Sequence, residues 1–174
     1  MQDYEPIDLS DVCNSGADVL AEGTDVALGR QTLRGLPFLL GGGEDADRLV
    51  VAGGSHGPVA VPIGAPVHRL IVAHRLLEVP EDAPTGTTVA EYVFRFASGG
   101  EERVPIHERF EIGSPRSTRG TFNAMTTEGP SVQPRYEGEF GLAGRRQMEG
   151  EGGGELPFTL WAWKSPRPDE AIES

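Results

Sequence analysis

One segment of the sequence has the pattern of a catalytic motif. Gly53-Gly54-Ser55-His56-Gly57 matches the G-x-S-x-G arrangement of a hydrolase nucleophile, in which the serine stands between a strand and a helix. Here Pro58 and the apolar run Val59–Ile63 follow the motif and predict another strand instead of a helix. We therefore interpret the segment as a glycine-rich β-turn and predict no catalytic triad around Ser55.

Histidines and one acidic turn are the candidates for binding a metal ion. The four histidines form no H-x-H or H-E-x-x-H pattern that would place two ring nitrogens on one ion. His68 and His74 share a strand face but lie about 20 Å apart at roughly 3.4 Å per residue, so we interpret His74 as a hydrogen-bonded core or loop-edge histidine. Glu44, Asp45 and Asp47 follow three glycines and could hold a structural calcium ion, although a solvated acidic turn is the commoner explanation.

Two tryptophans near the C-terminus are candidates for binding a sugar. Trp161 and Trp163 lie on one face of a predicted strand, opposite Phe158, Leu160 and Ala162. If one side of the sheet is solvated, only one of these faces is the main core. An aliphatic core would expose both indoles as a platform for stacking on sugar rings or packing on a neighbouring domain. We predict that Trp163 is in the core and leave both alternatives open for Trp161.

Composition excludes several classes of partner. The 15 Lys and Arg against 27 Asp and Glu give a formal net charge of -12, so nucleic acid and anionic membrane surfaces are repelled. No apolar run approaches the roughly 20 residues of a membrane helix, and the first residues lack the features of a signal peptide. This favours a cytoplasmic location, or a secreted one if the sequence is trimmed. The lone Cys13 predicts a small, partly buried thiol.

The 24 glycines, 14 prolines and short apolar runs predict one all-β domain over residues 1–174, with little helix. The segment 113–155 has few apolar anchors, and its part 144–155 is predicted to be a flexible, Gly-rich loop. The predicted strands are, in chain order, Leu49–Ala52, Val59–Ile63, Arg69–Leu77, Val89–Phe96, Arg103–His107 and Leu156–Trp163.

Two of these strands form a predicted hairpin. Alternation in Val89–Phe96 places Tyr92, Phe94 and Phe96 on one face, which belongs to the core. A turn at Gly99-Gly100 allows Arg103–His107 to return as the partner strand, where its proline indicates an edge or irregular position.

Three further segments resemble a galactose-binding-like jelly-roll domain of bacterial multidomain proteins, which often stands beside glycoside hydrolases and other hydrolases. The resemblance covers residues 34–172 and implies an antiparallel jelly-roll β-sandwich. Ser165 stands where the closing signature has Asn, and the segment 113–155 is longer and richer in Gly than that family's pattern. The segments are Arg34–Phe38, Leu70–His74 followed by Glu91-Tyr92, and Trp163–Ile172 with the sequence WKSPRPDEAI.

The resemblance also implies that a final strand begins near Ile172 and continues for several residues. We therefore expect the chain to be one module of a longer protein whose remainder carries any catalysis, and expect residues 1–174 alone to be less stable than an extended chain. A natural C-terminus with an abbreviated last strand is the rival interpretation.

Two functions fit these observations. The first is a non-catalytic ancillary module that binds carbohydrate or positions a substrate, with Trp161, Tyr136, Arg69 and His56 as candidate ligand-binding residues. The second is an architectural domain that docks on a neighbouring domain or a second subunit. An enzyme ranks third, because the 27 acidic residues single out no pair of catalytic carboxylates.

Overall fold

The computed structural model describes residues 4–20, 28–33, 36–41, 48–84, 86–108, 110–113, 146–147 and 158–174. These residues form an all-β structure, with two 3-10 turns at Ser10–Val12 and Ala17–Val19, so the predicted fold class and the scarcity of helix are confirmed. The strands are β1 (Gly29–Leu33), β2 (Leu36–Leu40), β3 (Ala65–Pro66), β4 (Arg69–His74), β5 (Thr88–Arg95), β6 (Glu101–His107), β7 (Arg146–Gln147), β8 (Thr159–Lys164) and β9 (Ala171–Ile172).

Strand β8 occupies the centre of the structure. It pairs antiparallel with β4 on one side and with β7 on the other, and every residue except Lys164 is buried. Its register places Trp161 opposite Val72 and Trp163 opposite Leu70. Because residues directly opposite each other in a ladder share a face of the sheet, the indoles lie with Val72 and Leu70 on one face.

That face packs on β5, β6 and β9 to form an aromatic core. Phe94 of β5 stacks on Trp163 with ring centroids 3.8 Å apart, and the Trp163 Nε1–H donates to Glu102 over 3.3 Å. The predicted aromatic face of β5 is therefore in the core, as is Trp163. The buried members of this core are Phe94, Phe96, Ile106, Ile112, Trp161, Trp163 and Ile172.

The opposite face of β8 is covered as well. Leu160 and Ala162 pack on Leu33 and Leu36 of the β1–β2 hairpin, with Tyr4 against the same cluster. The premise that only one face of this strand meets a core is therefore wrong. Both faces are buried because a separate hairpin covers the aliphatic one, which leaves no exposed indole platform.

Strand β9 connects the small sheets. It pairs with β3, and its neighbours bond to the end of β5: Glu173 N–H donates to the Arg95 carbonyl over 2.8 Å, and Ala97 N–H donates to the Ala171 carbonyl over 3.0 Å. Ile172 is fully buried between these partners, so the residue lies in a strand as predicted, although β9 ends at Ile172 and does not begin there.

The β5–β6 hairpin has the predicted turn and partner. Gly99, with φ of +87°, donates its N–H to the Phe96 carbonyl over 2.8 Å, a conformation that glycine adopts without a steric penalty. Pro105 lies opposite Glu91 in β6, which within the described residues pairs only with β5. A proline, which has no backbone N–H to donate, is tolerated on such an edge strand.

Two predicted strands are wrong. Leu49–Ala52 contributes only a bridge from Leu49 to Ser15, because the Asn14 side chain bonds both the N–H and the carbonyl of Val51 in place of a neighbouring strand. Residues 59–63 form no strand ladder. Pro62 lies within this segment and Pro58 directly before it, and neither has the backbone N–H that a ladder hydrogen bond requires.

The segment 144–155 is only partly described. A two-residue strand, β7, lies inside it and pairs Arg146 with Trp161 and Gln147 with Leu160, where composition predicts a loop. Residues 146–147 form a strand because they pair with the edge of β8 that β4 leaves free. Composition cannot predict this strand, because its partner lies elsewhere in the sequence. The rest of the predicted loop lies outside the described residues.

Burial of β8 on both faces makes its aliphatic side sensitive to truncation. We expect Leu160→Ala to lower the free energy of unfolding by about 2–5 kcal/mol, because it leaves a cavity at a site with no exposed surface. Leu77→Ala, at an exposed leucine, is the control and should change it by roughly 0.5 kcal/mol. Urea unfolding followed by tryptophan fluorescence measures both, and equal midpoints would contradict the two-sided core.

Candidate functional site

One end of the structure gathers titratable and aromatic side chains. His74 is the last residue of β4 and lies opposite Thr159, the first residue of β8. His107 is the last residue of β6 and lies opposite Thr88, the first residue of β5. The turn that follows β6 reaches across to this end, where the Gly113 N–H donates to the Thr159 hydroxyl over 3.1 Å. We call residues 107–108 and 110–113 the β6 turn.

His74 connects this turn to the core. Its Nε2 lies 2.9 Å from the Glu111 carbonyl oxygen and its Nδ1 lies 2.9 Å from the Tyr92 hydroxyl. Because a carbonyl only accepts, Nε2 carries the proton, and the Tyr92 hydroxyl donates to Nδ1. The ring also stacks on Trp161, with centroids 6.2 Å apart. The prediction of a hydrogen-bonded core or loop-edge histidine is confirmed.

Burial shifts the ionisation of both partners. It lowers the pKa of His74 to about 4, because the imidazolium form loses its hydration. It raises the pKa of Tyr92 well above its usual range for the same reason. Both groups are therefore neutral near pH 7, and their hydrogen bonds hold the β6 turn without a buried charge.

His107 and Glu111 form a side-chain pair on the turn. Glu111 Oε2 accepts from the His107 backbone N–H and lies 2.8 Å from His107 Nδ1. Solvent reaches both side chains, which are 35% and 19% exposed. The carboxylate thus closes the turn and orients the imidazole, while part of each group stays available to a ligand.

Phe110 stands on the same turn and is exposed. Its side chain is 53% exposed, although the Phe110 N–H is held by the His107 carbonyl over 3.2 Å. The inner part of the ring lies against Gly86, where an added Cβ would come within 2.8 Å of the Phe110 Cε2 atom. Gly86 also has φ of +80°, so a glycine here is required both for its backbone and for the close approach of the ring.

The four ligand-binding residues predicted from sequence do not meet at this site. Trp161 is only 1% exposed, because the aromatic core covers its indole, and no described residue accepts a hydrogen bond from its Nε1. Trp161 therefore cannot stack on a sugar in this structure. Arg69 lies on the opposite face of β4 from Val72, the partner of Trp161. His56 is exposed in the turn at Gly53–Gly57, and Tyr136 lies outside the described residues.

The other predicted features fall in different places. Ser55 lies in a turn closed by the Gly53 N–H on the Gly57 carbonyl over 2.7 Å, and residues 58–64 do not form the helix that follows a nucleophile elbow. Cys13 is half-buried. The candidate calcium ligands Glu44, Asp45 and Asp47 lie outside the described residues.

The described part of the chain has neither a metal-binding cluster nor a membrane-spanning helix. No group of three or more His, Cys, Asp or Glu side chains is placed there to hold a metal ion. Nor is any helix among these residues long and apolar enough to cross a membrane.

Sequence reasoning missed the role of the β6 turn. The available signal was the segment His107-Glu108-Arg109-Phe110-Glu111, in which a single aromatic residue stands among charged residues directly after a predicted strand. An aromatic residue in this setting is a candidate for an exposed ring. The contact between its turn and His74 could not be predicted in this way, because it joins residues 37 positions apart in the sequence.

Comparison with known proteins provides no relative for this chain. No protein-family model matches it, and no similar curated protein or solved structure is found.

Protonation of His74 should destabilise the fold in acid. The pKa of His74 is about 4 in the folded state, against 6.5 for an ordinary histidine such as that of the unfolded chain. Between these pH values the unfolded chain binds more protons than the folded one, so the free energy of unfolding decreases as the pH falls from 6.5 to 4. We expect a loss of about 3 kcal/mol from this group between pH 6.5 and pH 4.

The measurement is urea unfolding at pH 7, 5.5 and 4 for the wild type and for His74→Gln, which keeps a donor near the Glu111 carbonyl. The variant should lack this share of the pH dependence. His56→Gln, at an exposed histidine, is the control and should follow the wild type. A wild-type slope in His74→Gln would mean that other groups cause the acid sensitivity.

Proposed function

We propose that this chain is a non-catalytic module that binds carbohydrate or positions a substrate for a carbohydrate-active protein, through the β6 turn. The observation that carries the proposal is that the exposed Phe110 shares one turn with the His107–Glu111 pair. Sugar-binding sites combine an aromatic face, which covers the apolar C–H face of a sugar ring, with a few polar groups that fix its orientation.

The surroundings of Phe110 support a binding role over an incidental exposure. Leu77 and Phe110 are the large apolar side chains that the described residues expose, whereas the other aromatic residues of β5 and β8 are packed in the core. The turn under Phe110 is held by His74, by Thr159 and by its own backbone bonds. An aromatic ring on a held turn binds with little loss of conformational entropy.

The finer fold that we propose is a jelly-roll β-sandwich of the galactose-binding-like type. It is supported by the packing of β5, β6 and β9 against β4 and β8 across the aromatic core, and by the antiparallel pairing of all the named strands. The order of the three resembling segments along the chain is the second support.

The proposal includes that the chain itself is not an enzyme. The G-x-S-x-G segment lies in a turn without the helix that a nucleophile elbow needs.

The test is a glycan array probed with the labelled wild type, Phe110→Ala and Phe110→Tyr. We expect Phe110→Ala to weaken binding at least about tenfold, since an aromatic contact of roughly 1.5 kcal/mol corresponds to that factor. Phe110→Tyr keeps the ring and should bind like the wild type. Because Phe110 is half exposed, all three proteins should unfold at similar urea concentrations.

Two outcomes would contradict the proposal. A wild type that binds no glycan, or a Phe110→Ala variant that binds as well as the wild type, would remove carbohydrate binding by the β6 turn. If Phe110→Ala instead converts a self-associated wild type to a monomer, the architectural docking function takes its place.

A further inference from the structure

Strand β9 and the residues that follow it cover only one end of an edge of β5. The Arg95 N–H donates to the Ser174 carbonyl over 2.9 Å, so it points away from β6. The next N–H along the chain, that of Phe96, donates to the Gly100 carbonyl over 2.8 Å, on the β6 side of the strand. Because N–H groups alternate sides along a strand, β5 has an inner edge that faces β6 and an outer edge that faces β9.

The rest of the outer edge of β5 has no strand beside it among the described residues. N–H groups two positions apart in a strand point to the same side, so those of Glu91 and Val93 lie on the outer edge with that of Arg95. Within the described residues β5 forms a ladder with β6 alone, and its contact with β9 stops at Arg95. The backbone groups of Glu91 and Val93 are therefore left for a further strand.

The two outer edges of the β5–β6 hairpin differ in composition. The outer edge of β6 carries Pro105 together with the charged Glu101 and Arg103, and proline and charge are features with which a sheet edge avoids pairing. β5 has neither proline nor lysine. Its Val89 and Tyr92 pack against the aromatic core and yet remain half-buried. The outer edge of β5 is thus the one that accepts a strand.

The contacts beyond β9 indicate what fits along this edge. Glu173 donates its N–H to the Arg95 carbonyl over 2.8 Å, while its own carbonyl accepts from the Ile63 N–H over 3.0 Å. The bridge between β9 and β5 is antiparallel, and a strand that continues this line lies beside β5 at the usual spacing of about 4.8 Å. Because Ile63 bounds the line on its far side, one strand fits there better than a second copy, whose β5 arrives already paired with β6.

We propose that the outer edge of β5, from Ala90 to Phe94, is an interaction surface to which a separate polypeptide adds one extended strand, antiparallel to β5. In this mode of recognition the backbone hydrogen bonds supply affinity, and alternate side chains supply specificity. The partner strand carries apolar residues at alternate positions, which face the aromatic core beside Tyr92. The net charge of -12 favours a strand that is not acidic.

The experiment measures amide hydrogen exchange of the ¹⁵N-labelled chain with the peptide Ac-KTVTVTVK-NH2, in which apolar residues alternate with polar ones. The amides of Glu91 and Val93 should exchange freely in the chain alone. With saturating peptide their protection should rise at least about tenfold, because the added strand accepts their hydrogen bonds. The amides of Glu101 and Arg103, on the outer edge of β6, are the control and should not change.

Matched peptides test whether the backbone carries the binding. N-methylation of the three threonines or of the three valines removes the N–H donors from one edge of the peptide strand, so at least one of these two peptides should bind about tenfold or more weakly. The peptide Ac-KVVVTTTK-NH2 keeps the composition without the alternation and should also bind more weakly. Phe110→Ala should bind the first peptide as the wild type does, which separates this surface from the proposed sugar site.

Three results would overturn the proposal. Amides of Glu91 and Val93 that are already protected in the monomeric chain would mean that its own residues cover the edge. Protection that rises with protein concentration, together with a dimer in sedimentation equilibrium, would mean that a second copy covers it. No added protection with the alternating peptide, or equal binding of all the methylated and unmethylated peptides, would exclude addition of a strand.

Discussion

Burial of strand β8 on both faces is the constraint on which the rest of the structure depends. A strand in an antiparallel sheet commonly meets the core with one face only. Here Trp161 and Trp163 fill an aromatic core on one side, and Leu160 and Ala162 meet the β1–β2 hairpin on the other. Removing both faces from water concentrates the hydrophobic stabilisation on the five buried residues of this strand, so the sheets around them need not be large.

This arrangement also explains how a surface turn becomes part of the structure. His74, at the end of β4, stacks on Trp161 and accepts a hydrogen bond from Tyr92, while its second nitrogen holds the carbonyl of Glu111. The neutral ring of His74 thus connects the aromatic core to the β6 turn. That bond restrains the turn that carries the exposed Phe110.

The groups that the fold leaves at this surface are the ones that the proposed binding function uses. Glu111 holds the imidazole of His107 through Nδ1, a geometry that also orients histidines in catalytic sites. An aromatic ring on the same turn can cover the apolar face of a ligand while such polar groups fix its orientation.

The sequence by itself determined the fold class and much of the core. Alternation placed Tyr92 and Phe94 on a buried face, and the glycine turn paired β5 with β6, because both signals are local. The sequence does not determine whether Trp161 is buried, since the hairpin that covers the other face of β8 is distant in sequence. Only the tertiary structure decided the candidate site, because His74 and Glu111 meet across the fold and no spacing along the chain records a long-range hydrogen bond.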